Sequence, residues 1–202
     1  MSFTNPRIEN LIKKFARLPR VGARAATRIV LSLLTDETGR ASELAAAISD
    51  ASQNIRPCPN CGCLTDGPCS LCADASRENG QLCIVRDLSD VWTIERAGVF
   101  RGRYHILGGL LSGANGVTPD SLRVENLPAR IAAENIGEII FALPNTVEGK
   151  TTMHYVINKV ESEKRKAEIF FSELASGVPL GGDLDYIDDG TLSLAFGRRA
   201  KI

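Results

Sequence analysis

The sequence predicts an α/β multi-module chain with four parts: a small helical module, a four-cysteine metal knuckle, an α/β domain built on a mainly parallel sheet, and a loop-rich tail. Three observations predict it. Apolar residues in the first fifty-odd positions recur at helical spacing. Five of the six cysteines crowd between Cys58 and Cys72. From about residue 81, short apolar strands alternate with helical stretches. The 202 residues are enough to bury a core. With 24% charged and 44% hydrophobic residues, the composition is that of a soluble globular protein and argues against wholesale disorder. No apolar run approaches the roughly 18–20 residues of a membrane span. Met1–Arg7 shows neither the apolar stretch nor the small-residue cleavage site of a secretory leader, so a cytosolic protein is expected.

The N-terminal module reads as three helices over residues 1–56. Asn5-Pro6 offers an N-cap followed by proline in the first turn, and Ile8, Leu11, Ile12 and Phe15 then mark one apolar face. Leu18-Pro19-Arg20-Val21-Gly22 breaks this helix. The second carries Ala26, Ile29, Val30 and Leu33 at the same spacing. The third, after Thr38-Gly39, is expected to turn Leu44, Ala47, Ile48, Ala51 and Ile55 inward. Lys+Arg and Asp+Glu balance at 24 each over the whole chain. Residues 1–28 nevertheless hold Arg7, Lys13, Lys14, Arg17, Arg20, Arg24 and Arg28 against Glu9 alone. Such a stretch is either a phosphate-binding face or a solvated helix face. The glycine-containing turn is a feature of the first, because it lets backbone N–H groups at the next helix start face an anion, although any helical hairpin can have a glycine turn and a few arginines. Arg24 and Arg28, four residues apart, are placed to hold adjacent phosphates. This is the pattern of a helix-hairpin-helix, a DNA-binding element without sequence preference. Arg20, Lys13 and Lys14 are further candidate contacts.

Residues 57–73 are too rich in Cys, Pro and Gly to form a core unaided. Cys58-Pro-Asn-Cys61 and Cys69-Ser-Leu-Cys72 present four thiolates to one tetrahedral ion, each pair on a tight turn. With all four positions filled by sulfur, the expected site is a structural one holding about one Zn²⁺ per chain, whose binding supplies folding energy. A redox CxxC is the rival reading, and Cys63 could replace Cys61 as a ligand. Cys83, inside an apolar strand, reads as a small buried hydrophobe.

Farther along, strands are expected at Leu82–Val85, Tyr104–Leu107, Ile139–Leu143 and Ala167–Phe171, with helices over 89–97, 127–136 and 151–163. This alternation implies parallel strands with helices on both faces. Gly149-Lys150-Thr151 at a strand-to-helix junction suggests a phosphate loop, but Pro144 stands where the first glycine should be and offers no N–H. His105 and His154 belong to no paired motif and read as structural or surface residues. Trp92, Phe100 and Tyr104 read as core.

The order and size of these modules resemble the bacterial recombination-mediator family RecR, over nearly the whole chain. The resemblance is carried by Leu18-Pro19-x-Val21-Gly22, the two CxxC pairs, Glu78-Asn79-Gly80-Gln81-Leu82-Cys83-Ile84-Val85, Thr146-Val147-Glu148-Gly149 and Gly177-Val178-Pro179-Leu180-Gly181-Gly182-Asp183-Leu184-Asp185. It implies a Toprim domain over about 80–175 and a tail, 176–202, used in oligomer contacts. It implies a cytoplasmic, nucleoid-associated DNA-repair factor that acts with RecO, and with RecF where present. Family members help load RecA onto single-stranded DNA coated by the single-strand-binding protein, as rings of dimers pairing into tetramers that encircle DNA. Arg24 and Arg28 match the family's basic hairpin positions.

Three departures carry information. Arg20 stands where the family usually has glycine. Arg86 stands where Toprim enzymes place a glutamate, with only Asp87 beside it acidic. Lys150 replaces the second acidic residue expected after Glu148-Gly149. Toprim nucleases, primases and topoisomerases need clustered carboxylates to hold Mg²⁺, and two cations in their place oppose that ion. The expectation is therefore a Toprim fold without catalytic residues. The alternatives are a Mg²⁺-dependent nuclease or primase using Glu148, Asp87 and Asp183, and a pure interaction scaffold.

Overall fold

The computed structural model describes residues 5–162, 168–179, 181–197 and 199. Residues Met1–Thr4, the end of the predicted helix at Glu163, the start of the last predicted strand at Ala167, Leu180 of the tail motif, and the tail cations Arg198 and Lys201 lie outside them. The chain divides into two compact units, 1–55 and 56–202.

In the first unit, α1 spans Pro6–Phe15, α2 Ala23–Leu34 and α3 Arg40–Asn54. Asn5 caps α1, its side-chain oxygen accepting the Arg7 N–H at 2.9 Å. The chain then reverses: Val21 N–H donates to the Leu18 carbonyl at 3.1 Å, with Pro19 second in the turn and Arg20 third. Arg20 has φ 62°, so the turn is of the type that asks for glycine at its third position. Ala26 and Val30 on α2 are buried, and Ile8, Leu11, Ile12 and Phe15 of α1 are half-buried. The third helix departs from expectation. Leu44, Ala47, Ile48, Ala51 and Ile55 are all exposed, Ile48 to 59%. Ile29 on α2 is exposed as well. Helical periodicity marks a face as apolar but does not say what covers it, and three short helices enclose too little volume to cover three apolar stripes.

The second unit opens with a two-stranded antiparallel ribbon, β1 (Arg56–Pro57) with β2 (Leu64–Thr65), and the short α4 (Ser70–Ala73). There follow β3 (Gln81–Val85), α5 (Leu88–Ala97), β4 (Arg103–Ile106), α6 (Leu127–Ala133), β5 (Glu138–Ala142), α7 (Val147–Glu161), β6 (Phe170–Glu173) and α8 (Asp189–Gly197). The four later strands form one parallel sheet in the order β4-β3-β5-β6. Central β3 separates two cores by strand alternation. Leu82 and Ile84 join Leu127, Ile131, Val156 and Val160 of α6 and α7. Cys83 and Val85 join Val91 of α5, Tyr104, and Cys58, Cys61 and Cys63. The cysteine-rich segment thus forms part of one core. It also covers the edge strand, since Ile106 N–H donates to the Cys61 carbonyl at 2.8 Å.

Several boundaries moved for identifiable reasons. Helix α7 starts four residues before its predicted Thr151, because Thr146 caps it with its hydroxyl accepting the Gly149 N–H. Helix α6 stops short of Ile136, because Asn135 takes a left-handed conformation (φ 51°) and Ile136 N–H returns to the Ile131 carbonyl. The tail contains α8, where a loop was expected; Leu192, Leu194 and Phe196 alternate with strand period and hide it. Trp92, expected in the core, is 66% exposed, since it sits one helical step beyond the buried Val91. Among the described residues no helix is long and apolar enough to cross a membrane.

Candidate nucleic-acid interface and metal centre

On the helical unit, Lys13 and Lys14 occupy the last turn of α1, Arg20 the connecting turn, and Arg24 and Arg28 successive turns of α2. All five are exposed, and none forms an ion pair with a described residue. Gly22 caps α2 through its carbonyl, which accepts the Ala26 N–H at 2.9 Å; no side chain occupies the cap. Exposed guanidinium and ammonium groups without internal partners remain free to bind phosphate oxygens.

In the α/β unit, the sulfurs of Cys58, Cys61, Cys69 and Cys72 all lie within 4.8 Å of one another. The Cys61–Cys69 and Cys58–Cys72 separations are 3.6 and 4.0 Å. A tetrahedron with metal–sulfur bonds of about 2.3 Å has edges of about 3.8 Å, so the donor set fits one such ion. Each pair sits on a tight turn. Gly62 N–H donates to the Cys58 carbonyl at 2.9 Å, with Gly62 at φ 85°, and Cys72 N–H donates to the Cys69 carbonyl at 3.1 Å. Cys63, the alternative ligand, stays outside the four. Its N–H donates to the Cys61 sulfur at 3.4 Å, and its side chain is buried in the adjoining core. Contact with Cys61, then burial, pushes the Cys72 thiol up, and burial does the same to Cys69.

Asp87 and Glu148 converge on no such centre. Asp87 caps α5, accepting the Ser89 and Asp90 N–H groups at 2.9 and 3.3 Å and the Arg86 guanidinium at 2.8 Å. Burial raises its pKa, but bonds from the Ser89 hydroxyl and the Arg86 guanidinium outweigh it and hold the carboxyl below its ordinary value. Glu148 is exposed, and Lys150 pairs with Glu173. Asp183 precedes a short 3-10 turn in the tail. Among the described residues, the four cysteines are the only group of three or more potential ligands placed around one point. The loop before α7 is not a phosphate cradle: a Cβ on Gly149 would meet the Pro144 carbonyl oxygen, and the Gly149 and Lys150 N–H groups are already bonded to Thr146.

His105 is buried, as its structural reading anticipated, while His154 lies exposed on α7. The Nδ1 atom of His105 accepts from Arg130 at 3.3 Å, so its proton resides on Nε2 and is donated to the Arg123 carbonyl. Burial drives its pKa down to about 4. Sequence reasoning missed the polar neighbours of this ring: Asn60, Arg123, Arg130 and Glu134. The one available signal was at α6, where Arg130 and the capping Glu134 follow the apolar Leu127 and Ile131 at helical spacing. Cys83 is buried as expected, and that burial pushes its thiol up to about 12.

A Toprim domain profile matches residues 80–171, a profile for the RecR helix-hairpin-helix matches 8–52, and one for the RecR C-terminal region matches 177–199. The chain is 46% identical over 196 residues to recombination protein RecR of Rhodospirillum rubrum, covering 96% of this chain and 98% of that one. It is 44% identical over 199 residues to the RecR of a Ruegeria species, at 98% of each chain. To the RecR of Phenylobacterium zucineum it is 45% identical over 195 residues, at 96% of each.

Proposed function

This chain belongs to the RecR family of recombination proteins, and from that premise we propose that it is a non-enzymatic, DNA-binding mediator of recombinational repair. Its partners in this reading are RecO, RecF where present, and further copies of itself, closed into a ring around DNA in the bacterial cytoplasm at the nucleoid. Its product is RecA loaded onto single strands coated by the single-strand-binding protein. The observation that carries the reading is the set of five exposed cations around the α1–α2 turn, with no ion-pair partner among the described residues. Arg24 and Arg28 neutralise phosphates, with Arg20, Lys13 and Lys14 adding weaker contacts. Such contacts give salt-dependent affinity without sequence choice, and ring closure multiplies them through effective concentration. The work divides by module: residues 1–56 hold DNA, 57–73 stabilise, 80–175 form the Toprim body and 176–202 make oligomer contacts.

The four-cysteine centre holds Zn²⁺, about one per chain, in a structural role. Four soft sulfur donors at tetrahedral spacing support that identity, and they leave no position open for substrate. Support for a chain without catalysis comes from Arg86 and Lys150, which stand where carboxylates would hold Mg²⁺, and from the use of Asp87 as a helix cap.

The test is a salt titration of DNA affinity. Replacing Arg24 and Arg28 together by Ala is expected to weaken binding at every salt concentration. The slope of log affinity against log salt should flatten by about two for each chain that touches DNA. Oligomer mass should stay unchanged. Wild-type affinity and slope in the double variant would overturn the placement of the interface.

A further inference from the structure

Beside the four sulfurs lies a buried charge cluster that DNA binding does not use. Arg103, Arg130 and Glu134 meet there, and Arg123 lies against the first cysteine turn beside them. Arg130, only 7% exposed, donates from Nε to Glu134 Oε1 at 3.0 Å, and Arg103 reaches the same oxygen at 3.2 Å. Arg123 donates to the Cys58 and Pro59 carbonyls, both at 3.1 Å, and Arg130 donates to the Asn60 carbonyl at 3.2 Å. A Cβ on Gly62 would stand 3.0 Å from Arg123 Nε, so this guanidinium packs closely against the first cysteine turn. The Asn60 amide spans the two groups, 2.7 Å from Glu134 Oε1 and 3.7 Å from the Cys72 sulfur.

The charges in this cluster do not cancel. Arg103 and Arg130 share one buried carboxylate, Arg123 lies against the Cys58 and Pro59 carbonyls with no acid bonded to it, and Glu78, the other acid on Arg103, is largely exposed. Arg103 Nε, Arg123 Nε and Arg130 Nη2 are buried without a hydrogen-bond partner among the described residues. Hydrogen bonding therefore compensates their burial only in part, and arginine cannot escape by losing its proton. A divalent cation with four thiolates, by contrast, carries two negative charges. Its charge is equal and opposite to the excess on the cluster.

We propose that Arg103, Arg123, Arg130 and Glu134 together form the counter-charge of the metal-filled four-cysteine centre. They offset the negative charge of the metal-filled site while holding the first cysteine turn, so that metal retention and attachment of the cysteine-rich segment to the sheet are a single event. The inference rests on the reading that a divalent cation fills the four-sulfur site.

It is tested on the full chain loaded with Zn²⁺, by competition with a chromophoric chelator, with folding followed by circular dichroism. Arg123→Gln and Arg130→Gln are expected to hold zinc about tenfold or more less tightly, the usual effect of losing an outer-shell partner. Glu134→Gln deletes a negative charge and is expected to hold zinc at least as tightly as the wild type. A cluster that served packing alone would lose affinity in all three variants. Glu134→Gln weakened as much as Arg130→Gln would overturn the proposal, as would Arg123→Gln at wild-type affinity. Should the Arg130 or Glu134 variant fail to fold, Arg123→Lys against Arg123→Gln decides: retention in the first and loss in the second supports the proposal, and equal affinity overturns it. A wild-type chain that takes up no zinc overturns the metal reading itself. Uptake with equal affinities in all variants overturns this inference alone.

Discussion

Three arginines of the helical unit and two of the α/β unit live in opposite surroundings. Arg20, Arg24 and Arg28 of the helical unit are exposed and pair with no described acid. Arg77 and Arg130 of the α/β unit are 6% and 7% exposed, and each is held by a carboxylate and by at least one backbone carbonyl. An exposed guanidinium contributes little to stability and stays available to a polyanion. A buried one is part of the fold, and its removal leaves an uncompensated partner. Position in the fold, rather than residue type, separates binding from architecture.

The sharpest way to break this contrast is through the sulfurs. Cys58→Ser or Cys72→Ser is expected to abolish metal uptake and leave the α/β unit poorly folded, because binding at such a site is folding energy on the order of 10 kcal/mol. Elemental analysis with thermal unfolding checks it, and a fully folded, metal-free variant would end the architectural reading. Next comes Arg77→Leu. Its guanidinium meets both oxygens of Glu95, at 3.0 and 2.6 Å, and the Gly102 carbonyl. Loss of about 3 kcal/mol in urea unfolding is expected, with DNA affinity retained by the protein that remains folded.

His105 supplies a pH test within the buried set. Its folded pKa of about 4 lies below the ordinary 6.5, so the unfolded chain binds a proton that the folded one refuses between those values. Its contribution is fully present above about pH 6.5 and is lost progressively as pH falls toward 4. The difference in unfolding free energy between the wild type and His105→Gln should shrink over that window; a constant difference would contradict the burial argument. The smallest effect belongs to the exposed set. Arg20 adopts φ 62°, which costs a side-chain-bearing residue about 1 kcal/mol, so Arg20→Gly should stabilise the helical unit by up to that amount. The same substitution removes one cation and should lower DNA affinity slightly.

Much of this was legible before any coordinates. The CxxC spacing identified the four sulfurs that converge, and the strand–helix alternation identified a parallel sheet. Both are local patterns whose chemistry leaves few alternatives. What stayed hidden depends on partners far away in the chain. Asn60 meets Glu134 across 74 positions, and Arg123 meets Cys58 across 65, so no window of sequence shows either pairing. Helix α3 illustrates a second limit: Leu44 and Ile48 have the spacing of a buried face and lie exposed. Trp92 illustrates a third, since a single aromatic on an amphipathic helix can lie one step outside the buried arc.

The central claim is that the exposed cations bind DNA and that no carboxylate centre cuts or extends it. The most direct test incubates the chain with gapped duplex DNA and Mg²⁺ across a salt series and scores retarded complexes and strand lengths on one gel. Salt-sensitive complexes with every strand at its original length are predicted. Shortened or extended strands that disappear in an Asp87→Asn, Glu148→Gln double variant would contradict the account.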